Sequence, residues 1–111
     1  MKLLVFILNK EEYLEEILEA FLELNITGAT VLDSVGMGSI LARDIPIFAG
    51  FKNLLQGSRL ANKTILTVIP EDLVKSTIQA IEQIVGSLDA PGNGLLFVLN
   101  IDQVYGLSKT F

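Results

Sequence analysis

Apolar positions divide the chain into short runs and two longer amphipathic stretches. The run Leu3–Leu8 is too short for a free-standing helix and predicts a strand buried on both faces within a sheet. Thr30–Val35 predicts a second strand because apolar and polar residues alternate along it. Lys63–Ile69 corresponds to the first run, and Leu95–Leu99 is a further apolar run. Four strands are therefore predicted.

The two stretches between these strands have the period of amphipathic helices. The first is predicted to begin after Asn9 and to end near Leu24, and the second to begin after Pro70 and to end at Gly86. Their predicted buried stripes are Leu14, Ile17, Leu18, Phe21 and Leu22 in the first, and Val74, Ile78, Ile81 and Val85, flanked by Leu73, Thr77 and Ile84, in the second.

The order βαββαβ in a chain of 111 residues predicts a single domain over 1–111. The predicted class is α+β of the ferredoxin-like kind, a four-stranded antiparallel sheet with both helices on one face. The sheet's other face is too apolar to remain in water. We therefore expect copies of the chain to associate through sheet faces or edges.

Two glycines close the second strand, Gly36 and Gly38, with Met37 between them. Glycine at such a position permits a left-handed backbone or the close approach of another chain or ligand. The simpler interpretation is a bulge or tight bend where the strand ends. Spacing alone leaves both open.

Composition excludes several kinds of chemistry. The chain has no cysteine and no histidine, so disulfides, thiolate chemistry and the commonest metal ligands are absent. No metal site and no catalytic residues are predicted, and Asp33 and Tyr105 are the remaining polar candidates for an enzyme. A metal-handling trimer of similar fold, such as the CutA family, is disfavoured. No apolar run reaches the ~18–20 residues of a membrane span, and we expect a cytoplasmic protein.

Charge is unevenly distributed along the chain. The net charge of −5 argues against a nucleic-acid-binding protein that works through a basic surface. Four of the eight basic residues nevertheless lie between Ser39 and Lys63, against one acidic residue, Asp44. This segment either faces a polyanion or acidic partner or carries ordinary solubility charge.

These pieces resemble the PII signalling proteins, a family of homotrimeric ferredoxin-like regulators, over nearly the whole chain. The resemblance is carried by five stretches in order: Ile26–Val31, Val35–Gly38, Ile65–Val74, Gly92–Val98 and Val104–Tyr105. It implies that 39–62 corresponds to the long T-loop that follows strand two, and that 87–94 corresponds to the B-loop.

In that family adenine nucleotides bind in clefts between subunits, between the T-loop base and the neighbour's B-loop. The resemblance implies that the ligand-binding residues here are Thr30, Gly36, Met37 and Gly38 on one side and Gly92, Asn93 and Gly94 on the other. Glycine-rich turns suit this role because they present backbone N–H groups to phosphate oxygens. The effector would be an adenine nucleotide, and no other cofactor is expected.

The chain departs from the family pattern at charged positions. Leu95 stands where the family has a phosphate-binding lysine, and Gly106 and Ser108 stand where it has arginines. Ser39 replaces a basic residue, Ile40 replaces the glutamine that helps to hold magnesium and 2-oxoglutarate, and 39–62 contains no tyrosine. Each lost charge-assisted contact forfeits ~1.5–3 kcal/mol, which favours an effector with few phosphates over ATP.

Segment 39–62 also has an unusual apolar pattern. Asp44 is predicted to cap a helix with Pro46 in its first turn, and a helical stripe follows, formed by Ile47, Phe48, Phe51, Leu54 and Leu55. Three interpretations follow: the stripe folds onto its own trimer, binds a target protein such as a transporter or enzyme, or docks directly on a membrane. The leading hypothesis is an effector-binding homotrimeric regulator, and the alternative is a constitutive interaction trimer that has lost nucleotide binding.

Overall fold

The computed structural model describes residues 1–44 and 61–107. The strands and helices in this part follow the predicted order, with one additional helix after the second strand. The elements are β1 (Lys2–Leu8), a 3-10 turn (Glu11–Tyr13), α1 (Leu14–Glu23), β2 (Thr30–Ser34), α2 (Met37–Asp44), β3 (Asn62–Ile69), a second 3-10 turn (Glu71–Leu73), α3 (Val74–Val85) and β4 (Leu95–Asn100). The predicted ferredoxin-like α+β class is confirmed.

The four strands form one antiparallel sheet in the order β2-β3-β1-β4. Val5 on the central strand β1 lies opposite Leu66 on β3 and Phe97 on β4. Because directly opposed residues share a face of the sheet, this register assigns every strand residue to one of two faces.

One face is covered by α1 and α3 and forms the hydrophobic core. Its strand residues alternate with those of the other face, as the pleat requires. The fully or nearly fully buried apolar residues of this core are Leu4, Phe6, Leu8, Ile17, Phe21, Ile26, Ile65, Ile69, Ile81 and Val85. The predicted helix stripes are confirmed except at Leu22, which is 62% exposed because it lies at the margin of the stripe.

Both predicted helix ends have a clear local cause. Asn25 adopts a left-handed conformation (φ 64°) after α1, and the Ile26 N–H donates to the Phe21 carbonyl at 2.8 Å while the Asn25 N–H donates to Leu22 at 3.0 Å. These two bonds form a Schellman motif, with asparagine in the position that glycine usually takes. Gly86 ends α3 at φ 97°, as predicted.

The other face of the sheet is apolar and is not covered by α1 or α3. It carries Leu3, Val5 and Ile7 from β1, beside residues of β3 and β4 in register with them. The large side chains toward its edges remain open to solvent: Leu32, Leu95, Phe97 and Leu99 are 47%, 59%, 42% and 45% exposed. We refer to this surface as the open face.

The segment after β2 differs from the prediction. α2 runs from Met37 to Asp44 and was not predicted. The later helix that Asp44 is predicted to cap lies outside the described residues. α2 begins here because the strand ends at Ser34 and the Gly36 carbonyl accepts the Ile40 N–H at 3.1 Å, the first hydrogen bond of the helix. The predicted stripe, Ile47, Phe48, Phe51, Leu54 and Leu55, lies outside the described residues.

Within the described ranges, no helix combines the length and the apolar character needed to cross a bilayer.

Candidate functional site

The two predicted ligand-binding loops leave the sheet at the same end. β2 ends at Ser34, which lies opposite Asn62, the first residue of β3. β4 begins at Leu95, which lies opposite Ile7 near the end of β1. Gly36–Gly38 and Gly92–Gly94 therefore both lie beyond this end of the sheet, which we call the loop end.

Within one chain, however, the two loops belong to opposite edges of the sheet. β2 and β4 are separated by β3 and β1, so three strand spacings of about 4.8 Å place their axes roughly 14 Å apart. Thr30 starts β2 opposite Leu66, four residues before Ser34, and so lies about 13 Å from the loop end. A single chain brings neither Thr30 nor the second loop against Gly36.

Gly36 and Gly38 form the entrance to α2 rather than a bulge. Gly36 lies outside the left-handed region, and a Cβ built on it would meet no atom within 4 Å. Gly38 lies in the first turn of α2, and the Met37 side chain is 77% exposed. The backbone of Gly36 is thus open to the approach of a ligand or another chain, and nothing within the described fold requires glycine there.

The loop that precedes β4 contains two left-handed glycines, Gly92 (φ 84°) and Gly94 (φ 118°). They differ in surroundings. A Cβ at Gly94 would lie 2.6 Å from Phe6 Cε1 and 2.7 Å from the Ile7 carbonyl oxygen, whereas a Cβ at Gly92 would meet nothing within 4 Å. Gly94 is therefore required by the packing of the loop on β1, and Gly92 only by its backbone conformation.

Asn93, between these glycines, closes the loop through its side chain. Its Nδ2 donates to the Ser87 carbonyl at 2.7 Å, and its Oδ1 accepts from Lys10 Nζ at 3.3 Å. Sequence reasoning missed Lys10. The available signal was the position of Lys10 just after β1, since β1 and β4 are neighbours in this fold and the end of one lies beside the start of the other.

The other lysine at the loop end is already paired. Lys63 Nζ donates to the Asp33 carboxylate across β2 and β3. This hydrogen bond raises the pKa of Lys63. Partial burial acts in the opposite direction, and the negative charges of Asp33 and Glu11 raise the pKa further. The positive charge of Lys63 is thus compensated within the chain, and Leu95, the first residue of β4, presents an exposed apolar side chain.

The end of β2 is held to β3 by a small polar cluster. The Ser34 and Thr64 hydroxyls lie 2.7 Å apart, and Ser34 also donates to the Asn62 side chain. This cluster fixes the strand from which Gly36 follows, so the entrance to α2 is anchored on its N-terminal side.

The polar candidates for an enzyme do not converge. Asp33 is bound to Lys63 on the β2 side, and the Tyr105 hydroxyl, beyond β4, donates to Gln103 Oε1 at 2.8 Å. Within the part of the chain that the structure describes, no three Asp, Glu, His or Cys residues are grouped to hold a metal ion.

The fold defines the class of protein: a ferredoxin-like α+β domain with glycine-containing loops at one end of its sheet. A sequence model of the family described as nitrogen regulatory protein P-II matches residues 1–110. The chain therefore belongs to the P-II family, and the resemblance expected from its motifs is confirmed. A comparison with curated protein sequences gave no match.

Proposed function

We propose that this P-II regulatory protein forms a homotrimer, binds a small anionic effector at the clefts between subunits, and acts on a target protein through segment 39–62. The effector class is an adenine nucleotide with few phosphates. The observation that carries the proposal is the placement of the two loops at one end but at opposite edges of the sheet. Within one chain the two loops are too far apart to meet, so loop 87–94 can reach Gly36–Gly38 only if it comes from a second copy.

The open face supports association of copies. Leu32, Leu95, Phe97 and Leu99 together would expose an apolar surface of the kind that soluble monomers avoid. A head-to-tail interface that closes after three copies would bury these residues and place one edge of each sheet beside the opposite edge of its neighbour. The same contact would complete each candidate cleft.

The chemistry of the cleft supports an effector of low charge. Gly36 is open to close approach, and loop 87–94 contains two left-handed glycines, which suit turns that present backbone N–H groups to an anion. Lys63 is compensated by Asp33, and Leu95 contributes no charge. Such a cleft suits one or two phosphates better than three, because fewer charged oxygens must be satisfied.

The position of α2 supports coupling between effector and target. Gly36 accepts the first hydrogen bond of α2, and α2 leads directly into the remainder of segment 39–62. An effector held at Gly36 would bind one arrangement of this helix more tightly than another. The equilibrium between the two arrangements of the segment would then shift by the difference between the two binding free energies.

Effector binding is tested by thermal shift and then calorimetry, with AMP, ADP, ATP with and without magnesium, and cyclic nucleotides. A ligand at about 100 times its Kd adds ~2.7 kcal/mol to the free energy of unfolding. Gly36→Leu should abolish the shift. Gly28→Leu is the matched control, because Gly28 also has open space around its Cβ but precedes β2 at the opposite end of the sheet. Equal loss in both variants would contradict the proposed cleft.

The alternative is a constitutive interaction trimer that has lost nucleotide binding. It is favoured by the compensated charge of Lys63 and by the exposed Leu95. A trimer that shows no shift with any nucleotide would support it. The same protein should then bind its target equally well with and without nucleotide, and the segment 39–62 would act without an effector.

A further inference from the structure

Lys10 extends from the end of β1 to the loop that precedes β4. Its Nζ lies 3.3 Å from Asn93 Oδ1, although the two residues are 83 positions apart in the chain. The amide of Asn93 is oriented by the bond from its Nδ2 to the Ser87 carbonyl at 2.7 Å. The amide oxygen is thereby turned toward Lys10, and the ammonium group lies beside Asn93, the residue between the two left-handed glycines.

The charge of Lys10 is not compensated by this contact. Within residues 1–44 and 61–107, Lys2 is paired with Glu71 and Lys63 with Asp33, whereas Lys10 contacts a neutral amide. At 3.3 Å the bond is also longer than a typical N–H···O bond. An ammonium group has three donors, so two remain for a further acceptor.

We propose that Lys10 is the cation that binds the phosphate group of the effector at loop 87–94. This inference rests on the proposed function and makes it more specific. One uncompensated ammonium group suits one phosphate group better than three. The ligand class is therefore a nucleoside monophosphate, and AMP binds more tightly than ATP. Lys10, which follows β1, thus performs the role that Leu95 cannot perform.

Calorimetry with AMP and with adenosine tests this role directly, because the two ligands differ only in the phosphate. In Lys10→Gln the affinity for AMP should fall about tenfold or more, the loss expected for one charge-assisted hydrogen bond. The affinity for adenosine should not change. Lys10→Arg keeps the charge and should keep most of the AMP affinity. Lys75→Gln, an exposed lysine on α3, is the matched control and should bind both ligands as the wild type does.

Each other outcome overturns a defined part of the proposal. If Lys10→Gln weakens AMP and adenosine equally, Lys10 only shapes the loop and the inference is wrong. If the wild type binds AMP and Lys10→Gln binds it as tightly, another group holds the phosphate, while the proposed function stands. If the wild type binds ATP more tightly than AMP, the assignment of ligand class is wrong. A wild type that binds no nucleotide contradicts the inference and the proposed function together.

Discussion

The two faces of the sheet are built from the same strands but are completed in different ways. Phe6 and Phe97 show the contrast: Phe6 on β1 is fully buried beneath the helices, whereas Phe97 on the neighbouring strand faces the other way and is 42% exposed. The covered face packs against α1 and α3 of the same chain. The open face is also apolar but is not covered by α1 or α3, so the chain's own core and the surface proposed for assembly are separate.

Removal of a core side chain from the covered face should have the largest effect. Phe6→Ala leaves a cavity beneath α1 and α3 and should lower the free energy of unfolding by ~3–5 kcal/mol. Chemical denaturation measures this loss. Phe97→Ala is the matched control: any loss of stability there should depend on protein concentration, because it acts through association. A concentration-independent loss as large as that of Phe6→Ala would contradict the distinction between the faces.

The two left-handed glycines at the loop end differ in whether a Cβ would overlap the covered core. Gly94→Ala should cost roughly 2–5 kcal/mol, since left-handed strain adds to the overlap of its Cβ with Phe6 and Ile7. Gly92→Ala carries only the strain, about 1–2 kcal/mol. Urea denaturation of both variants checks the order. Equal losses would show that the contact with β1 has no energetic role.

Substitution on the open face should change assembly more than folding. Phe97→Lys introduces a charge into the proposed interface, and burial of an unpaired charge is strongly unfavourable. The wild type should sediment with the mass of three chains, and the variant with that of one, while its circular dichroism stays like that of the wild type. A wild type that sediments as a single chain would overturn the assembly.

The smallest effect is expected for the ion pair between Asp33 on β2 and Lys63 on β3. Because the hydrogen bond to Asp33 raises the pKa of Lys63 above the ordinary value of 10.5, the pair stabilises the fold fully below that pH. Its contribution falls as the pH rises through the folded-state pKa. The difference in melting temperature between wild type and Asp33→Asn should therefore be constant at neutral pH and shrink in alkali. A difference that grew in alkali would have the wrong sign.

The overall fold could be predicted because periodicity reports directly on burial. The alternating strands and the stripe through Ile17 and Phe21 follow from one covered face. Leu22 was predicted to be buried but lies at the margin of the stripe, which spacing alone does not resolve. Asn25 could replace glycine at a helix end because asparagine tolerates a left-handed backbone.

The candidate site was less accessible to sequence reasoning. The predicted glycines are in place at the loop end, but Gly36 opens a helix where a bend or a long loop was expected, because a glycine pair does not distinguish these. Lys10 was missed because its relation to Asn93 depends on the neighbouring positions of the first and last strands. Long-range relations of this kind leave no local pattern.

Each ligand cleft is proposed to form between two copies of the chain, and assemblies that mix two variants test this arrangement. Gly36→Leu blocks one side of the cleft, and Gly92→Asp places a negative charge on the other while tolerating the left-handed backbone. Each variant alone should bind no AMP by calorimetry. When equal amounts are assembled together, random pairing in a closed ring should restore about one cleft in four. A mixture that binds no more AMP than either parent would contradict the account.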